Sequence, residues 1–347
     1  MRVAGVPRRA IVEAPGGGAV VIVDQTLLPG RFETVRLTTL EAAAAAIRTM
    51  QVRGAPLIGV TAAYGMALGL RDDPSDQGLD RASTVLRATR PTAINLGWAV
   101  SWIADLVRPL PPPSRAAAAW AGAGELAEAE VAACEAIGRY GAALLRERLA
   151  ARGAEGPLNV LTHCNAGWLA TVDWGTALAP IYRLHDEGVA LHVWVSETRP
   201  RNQGLLTAWE LGEHGVPHTL VVDNAAGLLL QSGRVDLCLV GTDRTTRAGD
   251  VCNKIGTAMK ALAAREAGVP FYVAAPSSSI EWGLADPARI PIEERSALEV
   301  TGGHPVAAFN PGFDVTPARH VTALITERGV CPPSEAGLAG LFPERMP

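Results

Sequence analysis

From residue 158 onward, short apolar runs recur along the chain: Leu158–Leu161, Ala190–Val195, Thr219–Val222, Leu237–Val240, Phe271–Ala274 and Val321–Ile325. Each is rich in β-branched residues and apolar at successive rather than alternate positions, the pattern of strands buried on both faces. Between them Leu205–His214, Ala225–Gln231 and Val251–Ala267 read as helices. Repeated strand–helix units predict a parallel, doubly wound sheet covered by helices.

The first half follows another rhythm. Val20–Asp24 and Thr34–Leu37 flank Leu28-Pro29-Gly30 and predict a small amino-terminal hairpin or sheet. Thr38 or Thr39 is placed to cap a helix over Leu40–Met50, with Glu41 near its positive end. Pro56 opens the next helix, since proline is tolerated in a first turn. Thr92–Val107 reads as a third, stopped by the proline run Pro109-Leu110-Pro111-Pro112-Pro113. Ser114 to about Ala151, rich in alanine, predicts one or two more. The polar, Gly/Pro-containing stretch Arg152–Pro157 then divides an expected mostly helical domain, 1–152, from an expected α/β domain, 153–347.

Composition narrows the function classes. Thirty-one basic residues against 35 acidic give a net charge of −4, which argues against a chain whose main task is gripping nucleic acid or an anionic membrane. The uncharged run Gly54–Leu70 is dominated by Gly and Ala and reads as a buried helix rather than a membrane span. The first 18 residues lack the apolar core of a signal peptide. Five widely spaced cysteines without a C-x-x-C pair suit a reducing cytoplasm and predict neither a disulfide framework nor a metal knuckle. Only Lys254 and Lys260 are lysines, so a lysine within a polar motif stands out.

In an open parallel sheet, ligands bind beyond the carboxyl ends of the strands. Those ends carry His163-Cys164-Asn165, Glu197-Thr198-Arg199, Asp223-Asn224, Gly241-Thr242-Asp243 and Pro276-Ser277-Ser278-Ser279. Helix capping would explain Asp223-Asn224 or the serines, and an ion pair with Arg244 would explain Asp243. Cys164 reads either as a buried apolar cysteine or as a functional thiol near the amides of Asn165-Ala166-Gly167. His163, pointing to the opposite face from Cys164, is expected to be structural. Asn253-Lys254 falls at the start of the expected helix Val251–Ala267, where free N–H groups favour a phosphate. Gly54, in Arg53-Gly54-Ala55-Pro56, marks a close backbone approach, and Arg90-Pro91 sits just before a helix. No dinucleotide fingerprint or Walker loop is present, and no His, Asp or Glu cluster has metal-ligand spacing.

Taken together, the motifs resemble those of the methylthioribose-1-phosphate isomerases, within the wider family that includes the regulatory subunits of the eukaryotic initiation-factor nucleotide exchanger. The residues that carry the resemblance run in order over most of the chain. They are Arg53-Gly54-Ala55-Pro56, Arg90 to Leu96, His163-Cys164-Asn165-Ala166-Gly167, Glu197-Thr198-Arg199-Pro200, Gln203-Gly204, Thr207 to Leu211, Gly241-Thr242-Asp243-Arg244, Gly249-Asp250-Val251, Asn253 to Thr257 and Phe271-Tyr272-Val273. The resemblance implies a helical amino-terminal domain, a Rossmann-like carboxyl-terminal domain without nucleotide, and a homodimer. It implies interconversion of 5-methylthioribose 1-phosphate and 5-methylthioribulose 1-phosphate in methionine salvage, with no metal or organic cofactor. Cys164 and Asp243 become the expected catalytic pair, and Arg53, Gly54, Ala55, Arg90, Gln203, Asn253 and Lys254 the expected substrate contacts. Arg201-Asn202, Thr245 to Ala248 and Trp168 depart from the usual family pattern. Those departures bear on the 5-substituent and keep open an isomerase of 5-deoxyribose 1-phosphate or ribose 1,5-bisphosphate. The rival of another class is a non-catalytic, nucleotide-sensing regulatory subunit of the same fold, against which the joint presence of Cys164, Asp243 and Arg53 argues.

Overall fold

A computed structural model describes residues 1–153 and 155–347; Ala154, within the expected interdomain linker, lies outside the described residues. Met1–Cys134 with Trp168–Gly175 make one compact unit, and Glu135–Gly167 with Thr176–Pro347 make the other.

The first unit begins with a ribbon, β1 (Arg2–Val3) and β2 (Val6–Pro7), followed by an antiparallel three-stranded sheet of β3 (Ile11–Glu13), β4 (Val20–Val23) and β5 (Thr34–Leu37). Helix α1 (Leu40–Arg48) starts at Thr39, whose hydroxyl accepts the Ala42 N–H at 3.1 Å, satisfying one of the orphan donors of the first turn. In α2 (Ala55–Asp72) every residue from Ala55 to Leu70 is buried, which explains its uncharged run without a polar stripe. α3 (Asp76–Arg87) was not anticipated from sequence, because its residues are mostly polar; Ser75 caps it by accepting from Gly78 N–H. α4 (Ile94–Val107) packs on α2. Gly59 permits the approach, since a Cβ there would lie 3.0 Å from the Asn95 carbonyl oxygen. The alanine-rich stretch forms a single helix, α5 (Pro112–Arg152).

The second unit continues in chain order through β6 (Leu158–Thr162), α6 (Ala179–Asp186), β7 (Leu191–Ser196), α7 (Gln203–His214), β8 (His218–Val221), α8 (Ala225–Gln231), β9 (Leu237–Val240), β10 (Arg244–Thr246) and β11 (Val251–Lys254). It then runs through α9 (Thr257–Glu266), β12 (Phe271–Ala274), β13 (Ile280–Glu281), the short α10 (Leu298–Thr301), β14 (Phe313–Thr316), β15 (Ala323–Thr326), β16 (Gly329–Cys331) and α11 (Glu335–Leu341). The main sheet has the order β16-β15-β12-β9-β6-β7-β8. Its six strands from β15 to β8 are parallel, as the apolar runs predict, and only the edge strand β16 is antiparallel. From β6 the chain winds outward to β7 and β8, then returns to β9 on the other side and winds out to β12 and β15. The switch point therefore lies between neighbours β6 and β9.

Two expectations for this unit need correction. Thr219–Val222 is not buried on both faces: β8 is an edge strand on which Leu220 is exposed, and Val222 beyond it is exposed too. Val251–Ala267 is not one helix. Val251–Lys254 forms a strand paired with β10 on one side and β14 on the other, in a four-stranded sheet ordered β13-β10-β11-β14. Gly256, at φ +98°, then turns the chain into α9, a conformation in which a side chain would be strained.

Candidate active site

Cys164 and Asp243 follow β6 and β9, the two strands that flank the switch point, where strands lie about 4.8 Å apart and where open α/β sheets bind ligands. Each approach is shaped locally. Cys164 has φ +68°, so the chain leaves the line of β6 at that residue. The turn after it is pinned from behind by a buried carboxylate. Glu210 Oε1 accepts from Asn165 Nδ2 at 2.8 Å, and its Oε2 accepts from the Tyr182 hydroxyl at 2.9 Å. Gly167 is required there, because a Cβ would fall 1.8 Å from Glu210 Oε2. Gly241, ahead of Asp243, is similarly confined by Ala166, whose Cβ would be 2.8 Å away from one added there.

Asp243 begins the inserted sheet. Its N–H donates to the Cys252 carbonyl at 3.1 Å, and the Thr242 hydroxyl donates to the same oxygen at 3.1 Å. This extends the β10–β11 pairing and brings Asn253 and Lys254 to the Asp243 side of the sheet end. The neighbouring guanidinium of Arg244 reaches Glu281 Oε2 at 2.7 Å. Asn253 and Lys254 are both 4% exposed, so Lys254 belongs to the interior rather than to a solvated face. Burial lowers the Lys254 ammonium below its ordinary range, while the charges of Cys164 and Asp243 act in the opposite direction. Those two residues thus lie within electrostatic reach of Lys254.

Lys254 does not lie at a helix start, as its place in the sequence led one to expect. It sits on β11, and two of the N–H groups at the start of α9 are served within the chain: Asp314 accepts from Gly256 N–H at 2.7 Å and from Ala258 N–H at 3.1 Å. The lysine is instead carried to its place by strand pairing with β14, where Phe313 lies opposite it, 5.9 Å from ring centroid to Nζ.

Gln203 opens α7 after Asn202, which has φ +54°. Its side chain is buried and its Oε1 has no hydrogen-bond partner among the described residues, an arrangement that native interiors rarely leave unused. His163 is fully buried. Its Nε2 lies 2.8 Å from the Ile255 carbonyl, which only accepts, so Nε2 carries the proton. Burial pushes its pKa down to about 3, so the ring is neutral.

In the first unit, Gly54 has φ +92° and lies against Ala170, whose Cα would be 2.4 Å from any added Cβ. This is the close backbone approach expected from its position. Arg53 precedes it half-buried, Ala55 is the buried first residue of α2, and Arg90 lies half-buried ahead of α4. Among the described residues, no group of three or more His, Cys, Asp or Glu is placed to hold a metal ion, and no helix is long and apolar enough to cross a membrane.

Sequence reading also missed a fastening beside this face. Glu299 Oε1, on α10, accepts from Arg201 Nε at 2.9 Å and from Arg295 Nη2 at 3.1 Å. Burial alone would raise this carboxyl, but the two guanidinium groups outweigh it and bring its pKa down from 4.5 to about 2. The folded state therefore binds this proton less readily than the unfolded chain. The resulting stabilisation is present above pH 4.5 and is lost as pH falls through about 2. Glu299→Gln is expected to lower the melting temperature at neutral pH, with the gap to the parent narrowing as pH drops below 4.5. Calorimetry across that range checks this, and a gap independent of pH would contradict it.

Comparison with known proteins bears on the family and the fold. Residues 51–333 match the model of the Initiation factor 2 subunit family. A protein named methylthioribose-1-phosphate isomerase from Methylobacterium nodulans is 61% identical, with 99% of each chain covered. A crystal structure of 5-methylthioribose 1-phosphate isomerase from Pyrococcus horikoshii OT3 has a TM-score of 0.86 at 40% identity, covering 97% of this chain and 96% of that one. A structure of the translation initiation factor eIF-2B, subunit delta, from A. fulgidus has a TM-score of 0.82 at 37% identity, covering 97% of this chain and all of that one.

Proposed function

We propose a function from one premise: the chain belongs to the Initiation factor 2 subunit family and, within it, to the methylthioribose-1-phosphate isomerases. It interconverts 5-methylthioribose 1-phosphate and 5-methylthioribulose 1-phosphate, an aldose–ketose isomerisation of methionine salvage. The observation that carries the reading is that Cys164 and Asp243 follow β6 and β9, the two strands flanking the switch point, with Lys254 buried on β11, the strand whose Cys252 carbonyl accepts the Asp243 N–H. A non-catalytic subunit of the same fold has no need of that combination.

The chemistry accounts for the residue types. Phosphate on the C1 oxygen locks the sugar as a furanose, so the ring cannot open spontaneously to a free aldehyde. The bond from C1 to the ring oxygen breaks, and that oxygen takes a proton to become the C4 hydroxyl. The C2 hydrogen moves to C1, and the C2 hydroxyl loses its proton to become the ketone. One proton enters and one leaves, so a single carboxyl can shuttle both. Asp243 is proposed as that group and Cys164 as its partner at C2. Gln203, Asn253 and Lys254 are proposed as substrate contacts on their burial and position. Arg53, Gly54, Ala55 and Arg90 are proposed as contacts on the family resemblance. The homodimer and the cytoplasmic location are likewise proposals; light scattering at micromolar concentration tests the first and cell fractionation the second.

Turnover is to be measured side by side on 5-methylthioribose 1-phosphate, 5-deoxyribose 1-phosphate and ribose 1,5-bisphosphate. Preference for the first supports the reading. Equal efficiency on either of the others overturns the methylthio assignment, and no turnover on any overturns the enzyme.

Lys254→Ala is expected to raise KM more than it lowers kcat. The loss of a charged contact is worth about 1.5–3 kcal/mol, roughly 10- to 150-fold. Steady-state kinetics on the isomerase reaction check this; unchanged KM and kcat would remove Lys254 from the substrate contacts.

A further inference from the structure

Cys164 is held at both of its backbone polar groups by threonine hydroxyls. Its N–H donates to Thr198 Oγ1 at 2.9 Å, and its carbonyl accepts from Thr207 Oγ1 at 2.8 Å. Thr198 follows β7, is fully buried and has φ +65°. A β-branched residue in the left-handed region is a genuine outlier, because its side chain crowds the backbone there, whereas glycine or asparagine would take the same bend at less cost. Such strain persists only where surrounding contacts over-determine it.

Those contacts are present. The Thr198 N–H donates to Asp223 Oδ1 at 2.8 Å, the Arg199 N–H donates to Asp223 Oδ2 at 2.8 Å, and the Ser196 hydroxyl donates to Asp223 Oδ1 as well. The Thr198 hydroxyl in turn donates to the Ser196 carbonyl at 2.9 Å, which leaves its oxygen to accept from Cys164. Burial would raise the Asp223 carboxyl, but these donors and the Lys260 ammonium, 3.9 Å away, outweigh it and hold it ionised. Asn224, the N-cap residue of α8, makes no side-chain cap bond, and the Asp223 carboxylate is taken up by the donors at and after the end of β7 rather than by that helix.

We propose that Thr198, clamped by Asp223, is a positioning residue for Cys164, its hydroxyl fixing the left-handed turn that carries the thiol. The bend alone does not call for a hydroxyl at this position; the hydrogen bond to Cys164 N–H does. This inference rests on the reading of Cys164 as a catalytic group only in its effect on turnover, not in its effect on the Cys164 backbone.

The test compares Thr198→Val, which keeps the shape and removes the hydrogen bond, with Thr198→Ser, which keeps the oxygen. Three quantities are read: kcat and KM, the melting temperature, and the rate at which iodoacetamide alkylates Cys164, followed by peptide mass spectrometry at fixed pH. The other four cysteines are buried, so the thiol signal is specific. Thr198→Val is expected to lower kcat by ten- to roughly 10²-fold, the scale of a misplaced reacting group, with KM little changed and the alkylation rate clearly altered. Thr198→Ser is expected to restore both. If Thr198→Val is unfolded at the assay temperature, Thr198→Ala is read in the same way. An unchanged alkylation rate overturns the proposal whatever happens to kcat, and so does an equal loss in Val and Ser variants. Full activity in Cys164→Ser would instead overturn the catalytic reading of Cys164, while the alkylation comparison still decides whether Thr198 holds it.

Discussion

Asp243→Asn is expected to lower kcat by ~10²–10⁴-fold, the range for loss of a general acid–base group, and to leave KM close to that of the parent. Asparagine has nearly the same shape and hydrogen-bonding reach but carries no titratable proton. The backbone at this position is fixed independently of the side chain, by the Asp243 N–H bond to the Cys252 carbonyl and by the β10–β11 pairing beyond it. A large loss of turnover would therefore not arise from a displaced strand. The phosphate contacts are proposed to lie on other residues, which is why affinity should persist. An aspartic acid has an ordinary pKa near 3.9, so one that donates at neutral pH needs a nearby anion, such as the substrate phosphate, or desolvation to raise it. Kinetics of the variant across pH provide the check. Retention of more than about a tenth of the parent kcat, well short of the loss expected of a general acid, would remove Asp243 from the catalytic pair.

That site was legible in the sequence to an unusual degree because of how a parallel sheet is written. Strands buried on both faces are apolar nearly throughout, so the inner parallel strands stand out as runs, the edge strand β8 being the exception in its burial, and the residues after each run lie at one edge. That edge holds Cys164 and Asp243 among other polar residues, and it is the family resemblance that singles them out as the proposed pair. What the sequence hid has three physical causes. Val251–Lys254 pairs with β14, some sixty residues later, and such a non-local partner leaves no local mark. The strand and α9 are consecutive apolar stretches, separated only by the conformation of Gly256, and so merged into one apparent helix. Thr198 and Asp223 are legible as polar residues at strand ends, but what they do there is not, for the opposite reason. A threonine at φ +65° contradicts its own backbone preference, and local propensity points away from the place where tertiary contacts hold it. Sites of this kind are where sequence logic is expected to fail.

Cys164→Ser is expected to reduce kcat by a similar order, ~10²-fold or more, again with KM nearly unchanged. Serine is close in size, and the backbone bonds to Thr198 and Thr207 do not involve the side chain, so the turn should be kept. The difference is acidity: a thiol titrates near 8.5, while a hydroxyl is far harder to deprotonate and cannot take up a proton and release it in the same range. If Cys164 and Asp243 act in one proton-transfer sequence, removing either already breaks it. The double variant Cys164→Ser/Asp243→Asn should then be little slower than the poorer of the two single variants, as found for groups that work as a unit. Independent contributions predict instead that the two losses multiply. The four kcat values, measured on one preparation at saturating substrate, separate these cases. Multiplicative losses would leave each residue with a role of its own and dissolve the pairing inferred from neighbouring strands β6 and β9.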